Sequence, residues 1–265
     1  MKRVFKYPSI VESEGMMYSD VKGFLAEAGL NPKLVFNIIL SVSEAFTNAL
    51  EHGNKFMANK QIKVAIDIND RIVIADITDE GEGYSNESAA DRLRNPTDEG
   101  GRGIGLMKAF ADDINYLIDD RTGGTRVSMR FSRENYQKIK GVAGNLEDKM
   151  EVKKREEGQI AVLQLSGRLD LGNGNKLKEE VKGILNSGKV CIHLNLKGVE
   201  FVNSSGLGAL VSIMKETRIH RGRLTLSDMA DYVREIFDIT QLSHIFEIFA
   251  TEQEALHSYH PMTVA

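Results

Sequence analysis

A charge-dense segment in the middle of the chain, RENYQKIKGVAGNLEDKMEVKKREE (133–157), most limits what this sequence can fold into. Apolar residues are few across it until Met150, so it cannot form part of a buried core. A strand pattern begins again at the end of this segment, in MEVKKREE, and further strand and helix patterns follow it. The 265 residues therefore predict two domains, 1–135 and 148–265, joined by a linker at 136–147, and each domain is long enough to bury its own core.

Composition narrows the class of protein. Hydrophobic content of 42% and charged content of 27% are typical of a soluble globular protein, and the net charge of -4 argues against a direct nucleic-acid partner. The N-terminal stretch lacks the apolar core of a secretory signal, and no run of 18 apolar residues occurs, so we expect a cytoplasmic protein without a membrane partner. The single cysteine, Cys191, lies in the apolar run VCIHLNL and is predicted to be a buried, inert thiol.

The first half begins with a predicted edge strand, KRVFKYPSI, and a helix over about 12–27. Asn31 is the expected N-cap of a second helix, which starts at Pro32 and stops at Gly53. The rest of this half is predicted to be a hairpin with its turn at Asn69-Asp70, a helix in GGRGIGLMKAFADDI and a second hairpin that ends near Phe131.

One helical stretch, SVSEAFTNALEHGNK (41–55), carries polar groups in an unusual pattern. Glu44 and Asn48 are four residues apart and share a face, and Glu51 follows on the same side. A carboxylate and a carboxamide in this arrangement could hold a hydrated Mg²⁺ and a nucleophile, because hard cations prefer oxygen ligands. The alternative is a solvated polar face, and the helix alone does not decide between the two.

Two glycine clusters follow in the order that a nucleotide would require. A buried carboxylate at a strand end can accept the amine of adenine, and glycines beside it let the backbone approach a flat ring. Glycines that open a helix let its free N–H groups meet phosphates. Two such clusters can also be no more than turns. The residues concerned are Asp79, Gly81 and Gly83 after a strand, and Gly101, Gly103 and Gly105 at a helix start.

Together these features resemble the N, G1 and G2 boxes of the GHKL ATPase superfamily, and TGGTRVSMRF, with Gly124 and Thr125, is similar to its last box. The resemblance covers about residues 1–132. The segment between Tyr84 and Gly101 is short. No dimerisation helix with a phosphoacceptor histidine precedes the ATPase-like half. Among the superfamily, the half-chain therefore looks most like the compact anti-sigma factor serine kinases, which implies a GHKL-type α/β sandwich.

This resemblance implies ATP and Mg²⁺ as cofactors. It makes Glu44 the catalytic base, Asn48 the Mg²⁺ ligand and Asp79 the adenine-binding residue, with Thr125 and the glycines lining the nucleotide site. Arg102, within the second glycine cluster, could touch a phosphate or a partner, and it could equally be a plain surface arginine.

The second half alternates strands and helices, which predicts βαβ units and a largely parallel sheet packed with helices. FVNSSGLGAL, together with GRLDL, resembles the STAS domain of anti-sigma factor antagonists over about residues 148–260. A serine at a helix N-terminus is normally a cap. The resemblance implies that Ser205 is the phosphoacceptor, with Ser204, Asn203 and Asp170 adjacent. The family usually has aspartate where Asn203 stands, a change that could ease phosphorylation or weaken recognition by a kinase.

Two further patterns carry no predicted site. GILNSGK (183–189) begins like a phosphate-binding loop, but Val190 replaces the required Ser or Thr, and the segment joins a helix to a strand. We expect a helix C-cap and turn there. The six histidines show no metal-type spacing.

In the family the kinase and the antagonist are usually separate chains, whereas here both resemblances lie on one. A linker of about 15 residues spans roughly 20 Å and gives effective concentrations near millimolar. Three functions stay open: a kinase acting on a STAS serine, a non-catalytic nucleotide- and protein-binding module, and an ATPase whose STAS domain senses a small ligand. The implied partners are a sigma factor, separate STAS or kinase proteins, a metal-dependent serine phosphatase and a second copy of the chain.

Overall fold

The computed structural model describes residues 1–83, 102–134 and 150–259, and it divides the chain into two compact units, Met1–Gly144 and Asn145–Ala265. The predicted polar segment at 85–99, Gly101 and the linker at 136–147 lie outside the described residues. The predicted domain limits therefore stay a prediction.

The first unit is a five-stranded antiparallel sheet with helices packed on it. Its strands are β1 (Lys2–Pro8), β2 (Gln61–Ile68), β3 (Ile72–Thr78), β4 (Asp113–Ile118) and β5 (Thr125–Ser132). Its helices are α1 (Glu12–Glu27), α2 (Pro32–Asn48), a π-helical turn (Ala49–Gly53) and α3 (Arg102–Phe110). The strand order is β1-β2-β3-β5-β4, so β1 is the edge strand that the sequence predicts. Burial alternates along β2, which shows that one face of this strand packs on the core.

The start of α2 is confirmed, and the end of α3 is not. The Asn31 side chain accepts a hydrogen bond from the Lys33 N–H at 2.9 Å, with Pro32 in the first turn. The predicted continuation of α3 through ADDI is wrong, because α3 ends at Phe110. The Asp112 N–H donates to the Arg130 carbonyl at 2.9 Å, which draws the chain into the sheet as β4.

Among the described residues, one helix, Pro32–Gly53, is long and apolar enough to cross a membrane by length and composition. Within its most apolar window, 78% of the residues are buried in the protein. Packing in the core of the first unit accounts for this apolar surface.

The second unit is a mostly parallel five-stranded sheet packed with helices. Its strands are β6 (Glu151–Glu157), β7 (Ile160–Leu169), β8 (Cys191–Val202), β9 (Arg223–Ser227) and β10 (Glu247–Phe249). Its helices are α4 (Leu171–Asn186), α5 (Ser204–Ile219), α6 (Asp231–Ile239) and α7 (Glu252–His257). The order is β10-β9-β8-β7-β6, with only β6 antiparallel to its neighbour. Nearly continuous burial along β7, β8 and β9 is typical of a parallel sheet covered on both faces.

Three boundaries and one burial prediction differ here. The helix expected from about Gly174 starts at Leu171, because Asp170 caps it. The loop expected at FVNSSG is shorter, since β8 continues through Val202 and α5 begins at Ser204. Cys191 is partly exposed rather than buried, because it opens β8 near the end of the sheet. The turn predicted at GILNSGK is confirmed, with Gly188 at φ +88° directly after the α4 cap.

The predicted fold class is confirmed as a mixed α/β protein with two sheets, an α/β sandwich followed by a mostly parallel sheet packed with helices. In both units, the residues that the sequence singles out cluster where strands end and helices begin or end.

Candidate functional site

Asp79 is a buried carboxylate at the end of β3, with 4% of its surface exposed. Its Oδ1 accepts hydrogen bonds from the N–H of Gly81 at 2.8 Å and from the N–H of Thr125 at 2.9 Å. Burial raises the pKa of Asp79, while these two bonds and the charge of Lys60 act in the opposite direction. Among the described residues both donors go to Oδ1, so Oδ2 can accept a hydrogen bond from a ligand.

Three glycines crowd this carboxylate so closely that no side chain would fit. A Cβ added at Gly53 would lie 2.6 Å from Asp79 Oδ2, and one at Gly81 would lie 2.6 Å from the Gly53 carbonyl oxygen. A Cβ at Gly124 would lie 2.2 Å from the Asp79 carbonyl oxygen. The close approach of three backbone segments therefore requires glycine at these positions. Gly83 instead adopts φ +83°, a left-handed conformation that favours glycine.

Two polar side chains hold the segments around Asp79, and neither was predicted to have a role, although both lie inside stretches that the sequence singles out. Asn54 is fully buried and donates to the Gln61 carbonyl at 3.0 Å while accepting from the Glu80 N–H at 2.8 Å. The Thr122 hydroxyl donates to the Asp79 carbonyl at 3.3 Å. The available clue was position alone, because Asn54 directly follows the glycine that ends the helix.

Glu44 and Asn48 lie on the last turns of α2. Glu44 is 1% exposed, so the solvated-face alternative is wrong, and Asn48 is partly exposed. Gly53, which touches Asp79, lies nine positions after Glu44, a rise of about 13 Å along a helix. Glu44 therefore lies more than two helical turns before the residue that contacts Asp79.

The start of α3 supplies the second glycine cluster. The Phe36 and Phe110 rings, 6.4 Å apart and edge to face, pack α3 against α2. Arg102 is 3% exposed, so it is not a plain surface arginine. A Cβ at Gly105 would meet no described atom within 4 Å, which leaves space beside the first turn of the helix. Gly103 is buried in that turn, and Gly101 lies outside the described residues.

The residues here fit a hard cation that keeps most of its own water. The side chains of Asn48 and Glu44 offer the oxygen ligands that Mg²⁺ prefers. Among the described residues, no three His, Cys, Asp or Glu side chains group closely enough to hold a metal alone. Mg²⁺ is usually held by one or two protein groups together with substrate phosphates and water, and this set matches that pattern.

In the second unit, two helices begin side by side at the end of the parallel sheet. Asp170 follows β7 and caps α4 by accepting from the Asn173 N–H at 3.1 Å. Asn203 follows β8 and caps α5 by accepting from the Gly206 N–H at 3.0 Å. Because β7 and β8 are parallel neighbours, both helix N-termini lie at one edge of the sheet.

The predicted acceptor residues are brought together at this edge. Ser204 is 9% exposed, whereas Ser205 is the more exposed of the two hydroxyls. A Cβ at Gly206 would lie 2.0 Å from the Leu169 carbonyl oxygen, which also accepts the Asn203 N–H at 3.3 Å. Asp170, the next residue along the chain, is therefore adjacent to the turn that carries both serines.

Arg168 is the functional candidate in this unit that the sequence motifs did not reveal. It is fully buried, and its Nη2 donates to Asp170 Oδ2 at 2.6 Å. Its guanidinium lies 5.6 Å from the centre of the Phe201 ring. Nothing local in GRLD predicts that this arginine is buried, and its pairing with Asp170 and its contact with Phe201 accompany its position inside.

A second buried polar group in this unit is His193. Its Nδ1 lies 2.8 Å from the Thr225 hydroxyl oxygen and its Nε2 lies 3.0 Å from the Ser227 hydroxyl oxygen. Burial lowers the pKa of His193 to about 4, although the carboxylates of Glu252 and Asp228 act in the opposite direction. The ring is therefore neutral at neutral pH and serves the core.

Comparison with known proteins matches both units. The family model for the histidine kinase-like ATPase domain covers residues 11–131, and that for the STAS domain covers residues 151–255. The chain is 31% identical over 146 residues to the serine-protein kinase RsbW of Bacillus licheniformis, covering 49% of this chain and 87% of the relative. It is 30% identical over 105 residues to the anti-sigma-B factor antagonist of Listeria monocytogenes, covering 40% of this chain and 91% of the relative.

Among solved structures, an anti-sigma factor antagonist from Mycobacterium paratuberculosis covers 42% of this chain and 93% of its own, at 19% identity and a TM-score of 0.39. The two family models identify a histidine kinase-like ATPase domain followed by a STAS domain. The chain belongs to the partner-switching anti-sigma factor family, with its kinase-type part first and its antagonist-type part second.

Proposed function

We propose that this protein binds Mg·ATP in its first unit and phosphorylates a serine of a STAS domain, either its own Ser205 or the equivalent serine of a partner. Phosphorylation would control the availability of a sigma factor through partner switching. The observation that carries the proposal is that a kinase-type site with Glu44, Asn48 and Asp79 shares one chain with an accessible serine at a STAS helix N-terminus.

The proposed nucleotide site extends from Asp79 to the end of α2 that carries Glu44 and Asn48. Asp79 accepts the amino group of adenine at Oδ2, beside the glycine backbone at Gly81 and Gly83. The N–H groups at the start of α3, with Gly103 and Gly105, bind phosphates, because a helix N-terminus favours anions. Asn48 holds Mg²⁺, which supplies charge stabilisation on the phosphates when it is bound. Thr125 acts through its N–H, by orienting Asp79.

In the proposed transfer, the Ser205 hydroxyl oxygen forms a bond to the γ-phosphorus of ATP. The bond from that phosphorus to the β–γ bridging oxygen breaks, and ADP leaves. The hydroxyl proton passes to the Glu44 carboxylate, which acts as general base. A positioned base of this kind typically contributes about 10²–10⁴-fold to a rate. Asn203 supports the acceptor role, because it caps α5 without placing a second negative charge beside the new phosphate.

The test is intact-mass measurement of the full chain after incubation with Mg·ATP. We expect one added phosphoryl group, lost in Ser205→Ala and retained in the matched control Ser204→Ala. Glu44→Gln keeps the shape of the side chain and removes the base, so its rate should fall about 10²-fold or more. Mixing Glu44→Gln with Ser205→Ala separates the routes, because only transfer between chains can then phosphorylate Ser205.

Other results would favour the other functions. Measurable ATP affinity with no phosphoprotein and no turnover would replace the kinase with a binding module. ATP hydrolysis that responds to a small ligand of the STAS domain, again without phosphoprotein, would point to a sensor. Failure to bind ATP at all would overturn the proposed nucleotide site together with the kinase.

A further inference from the structure

A buried ion pair lies at the acceptor edge of the second unit, the end of the sheet where Asp170 and Asn203 cap α4 and α5 and where Ser205 lies. Arg168 is 0% exposed at its side chain and Asp170 is 7% exposed, with 2.6 Å between Nη2 and Oδ2. Desolvation makes a buried ion pair weak evidence for stability, and apolar residues of similar volume often serve as well. A buried pair at a candidate site therefore calls for a functional explanation as well as a structural one.

The backbone is shaped to bring Arg168 inside. Gly167 adopts φ +86°, and the β7–β8 register shifts between Gly167 and Arg168. Bulges of this kind re-aim a side chain and are common beside functional sites. The Arg168 carbonyl also accepts a hydrogen bond from the Asn173 side chain at 3.0 Å, which ties this residue to the first turn of α4.

Positive and negative charges meet at this edge of the sheet. Each helix N-terminus contributes about half a positive charge. Asp170 contributes a full negative charge next to the turn that carries Ser205, and a phosphate there would add nearly two more. Without a cation, the carboxylate would repel the phosphate. The guanidinium of Arg168, which is paired with Asp170, offsets the negative charge of this carboxylate.

We propose that Arg168 is a positioning residue for phosphorylation: its buried guanidinium offsets Asp170 and thereby lets Ser205 carry a phosphate dianion. This inference rests on the proposed function only in taking Ser205 as the modified residue. Asp170 keeps its role as the α4 cap, and Arg168 makes that acidic cap compatible with a second anion beside it.

The test places phosphoserine at position 205 during translation, so it does not depend on the kinase. The second pKa of the phosphate, about 6 in isolation, is read by ³¹P NMR titration of the full chain. Two variants share the loss of Asp170 and differ only in the arginine: Asp170→Asn and the double variant Arg168→Met/Asp170→Asn. We expect the phosphate pKa to be lower by about one unit in Asp170→Asn, because a nearby cation favours the dianion.

Equal phosphate pKa values in these two variants would overturn the proposal, because a purely structural arginine would not act on the phosphate. If Asp170→Asn does not fold, wild type and Arg168→Met, which both keep Asp170, decide the matter. A higher phosphate pKa in Arg168→Met supports compensation of Asp170 by Arg168, whereas equal values in that pair overturn it. Absence of kinase activity in the separate Mg·ATP assay would leave this outcome unchanged.

Discussion

Asp79 and Asp170 occupy the same kind of place in two different units, and they are treated in opposite ways. Each follows a buried strand, each is almost fully buried, and each has a glycine pressed against the backbone near it. Asp79 is held by backbone N–H groups at one oxygen. Asp170 is held by a helix N–H and by a buried guanidinium.

The difference separates a carboxylate held by backbone N–H groups alone among the described contacts from one that is paired with an arginine. Burial raises the pKa of Asp79, which means that the folded protein bears a cost for keeping its charge. In the proposed function, a ligand donor at Asp79 offsets this cost. Asp170 is already paired with a cation and caps α4. The same residue type at two strand ends is thus stabilised in two different ways.

The largest expected effect is on stability at Asp170. Asp170→Asn should lower the free energy of unfolding of the second unit by about 3–5 kcal/mol, because it removes the carboxylate paired with the buried Arg168 guanidinium. The double variant Arg168→Met/Asp170→Asn should recover most of this loss. Hydrogen exchange of the β7 amides in the full chain measures both effects, with Asp231→Asn, at an exposed first turn, as the control. An unchanged exchange rate in Asp170→Asn would show that the pair is not energetically coupled.

The next largest effect is the loss of stability of the second unit in acid, caused by the neutral, buried ring of His193. The pKa of His193 is about 4 when folded, against an ordinary value of 6.5, so the unfolded chain binds the proton first. Its contribution is present above pH 6.5 and is lost as the pH falls from 6.5 to 4, a total of about 3 kcal/mol. Urea unfolding followed across this range should show the loss.

The matched variants are His193→Gln and His244→Gln, since His244 is exposed. His193→Gln should flatten the pH dependence, and His244→Gln should leave it as in wild type. A wild-type profile that is flat between these pH values would contradict the assignment. Acid acts in the opposite direction at Asp79, because protonation there relieves the cost of a buried charge.

The smallest effect sharpens the comparison at Asp79. Asp79→Asn keeps an oxygen for the N–H groups of Gly81 and Thr125 and removes a charge that is costly to bury, so stability without nucleotide should not fall. ATP affinity should fall roughly 10–100-fold, the value of a charge-assisted hydrogen bond. Calorimetric titration measures the dissociation constant, and the exposed Asp67→Asn on β2 is the control. Unchanged affinity would move the adenine contact away from Asp79.

Affinity for ATP should also weaken on acidification, and at a higher pH than an ordinary aspartate would require. Protonation of a carboxylate whose pKa is raised by burial removes the acceptor charge from Asp79 early. The Asp79→Asn variant should lack this dependence, which makes the two titrations a single consistent test.

Regular periodicity made most of the fold predictable. The alternation in QIKVAIDI, the cap at Asn31 and the strand–helix alternation after residue 157 all correspond to elements that the structure contains. Predicted element boundaries were wrong where a single long-range hydrogen bond determines where the element ends. Asp112 was predicted to be helical from its local pattern, but its N–H bonds to Arg130 across the sheet.

The candidate site residues were predictable as types, and their surroundings were not. Nothing local in GRLD indicates that Arg168 is buried, since that depends on a bulge and on the position of Asp170. Asn54 likewise acquires its role only when β2 and the segment after β3 meet it. The proposed roles of Glu44, Asn48 and Ser205 stay predictions until the mass and binding experiments are done.

The π-helical turn at Ala49–Gly53 sets a fixed spacing between the end of α2 at Asn48 and the contact of Gly53 with Asp79. Gly53 is immobilised against Asp79, so adding or removing one residue between Asn48 and Gly53 would rotate everything before it by about 100°. Glu44 would then face a different direction while Asp79 stayed in place. Substitutions at Ala49, Leu50, Glu51 or His52 keep this spacing, whereas an insertion or deletion in the turn, or a side chain at Gly53, does not.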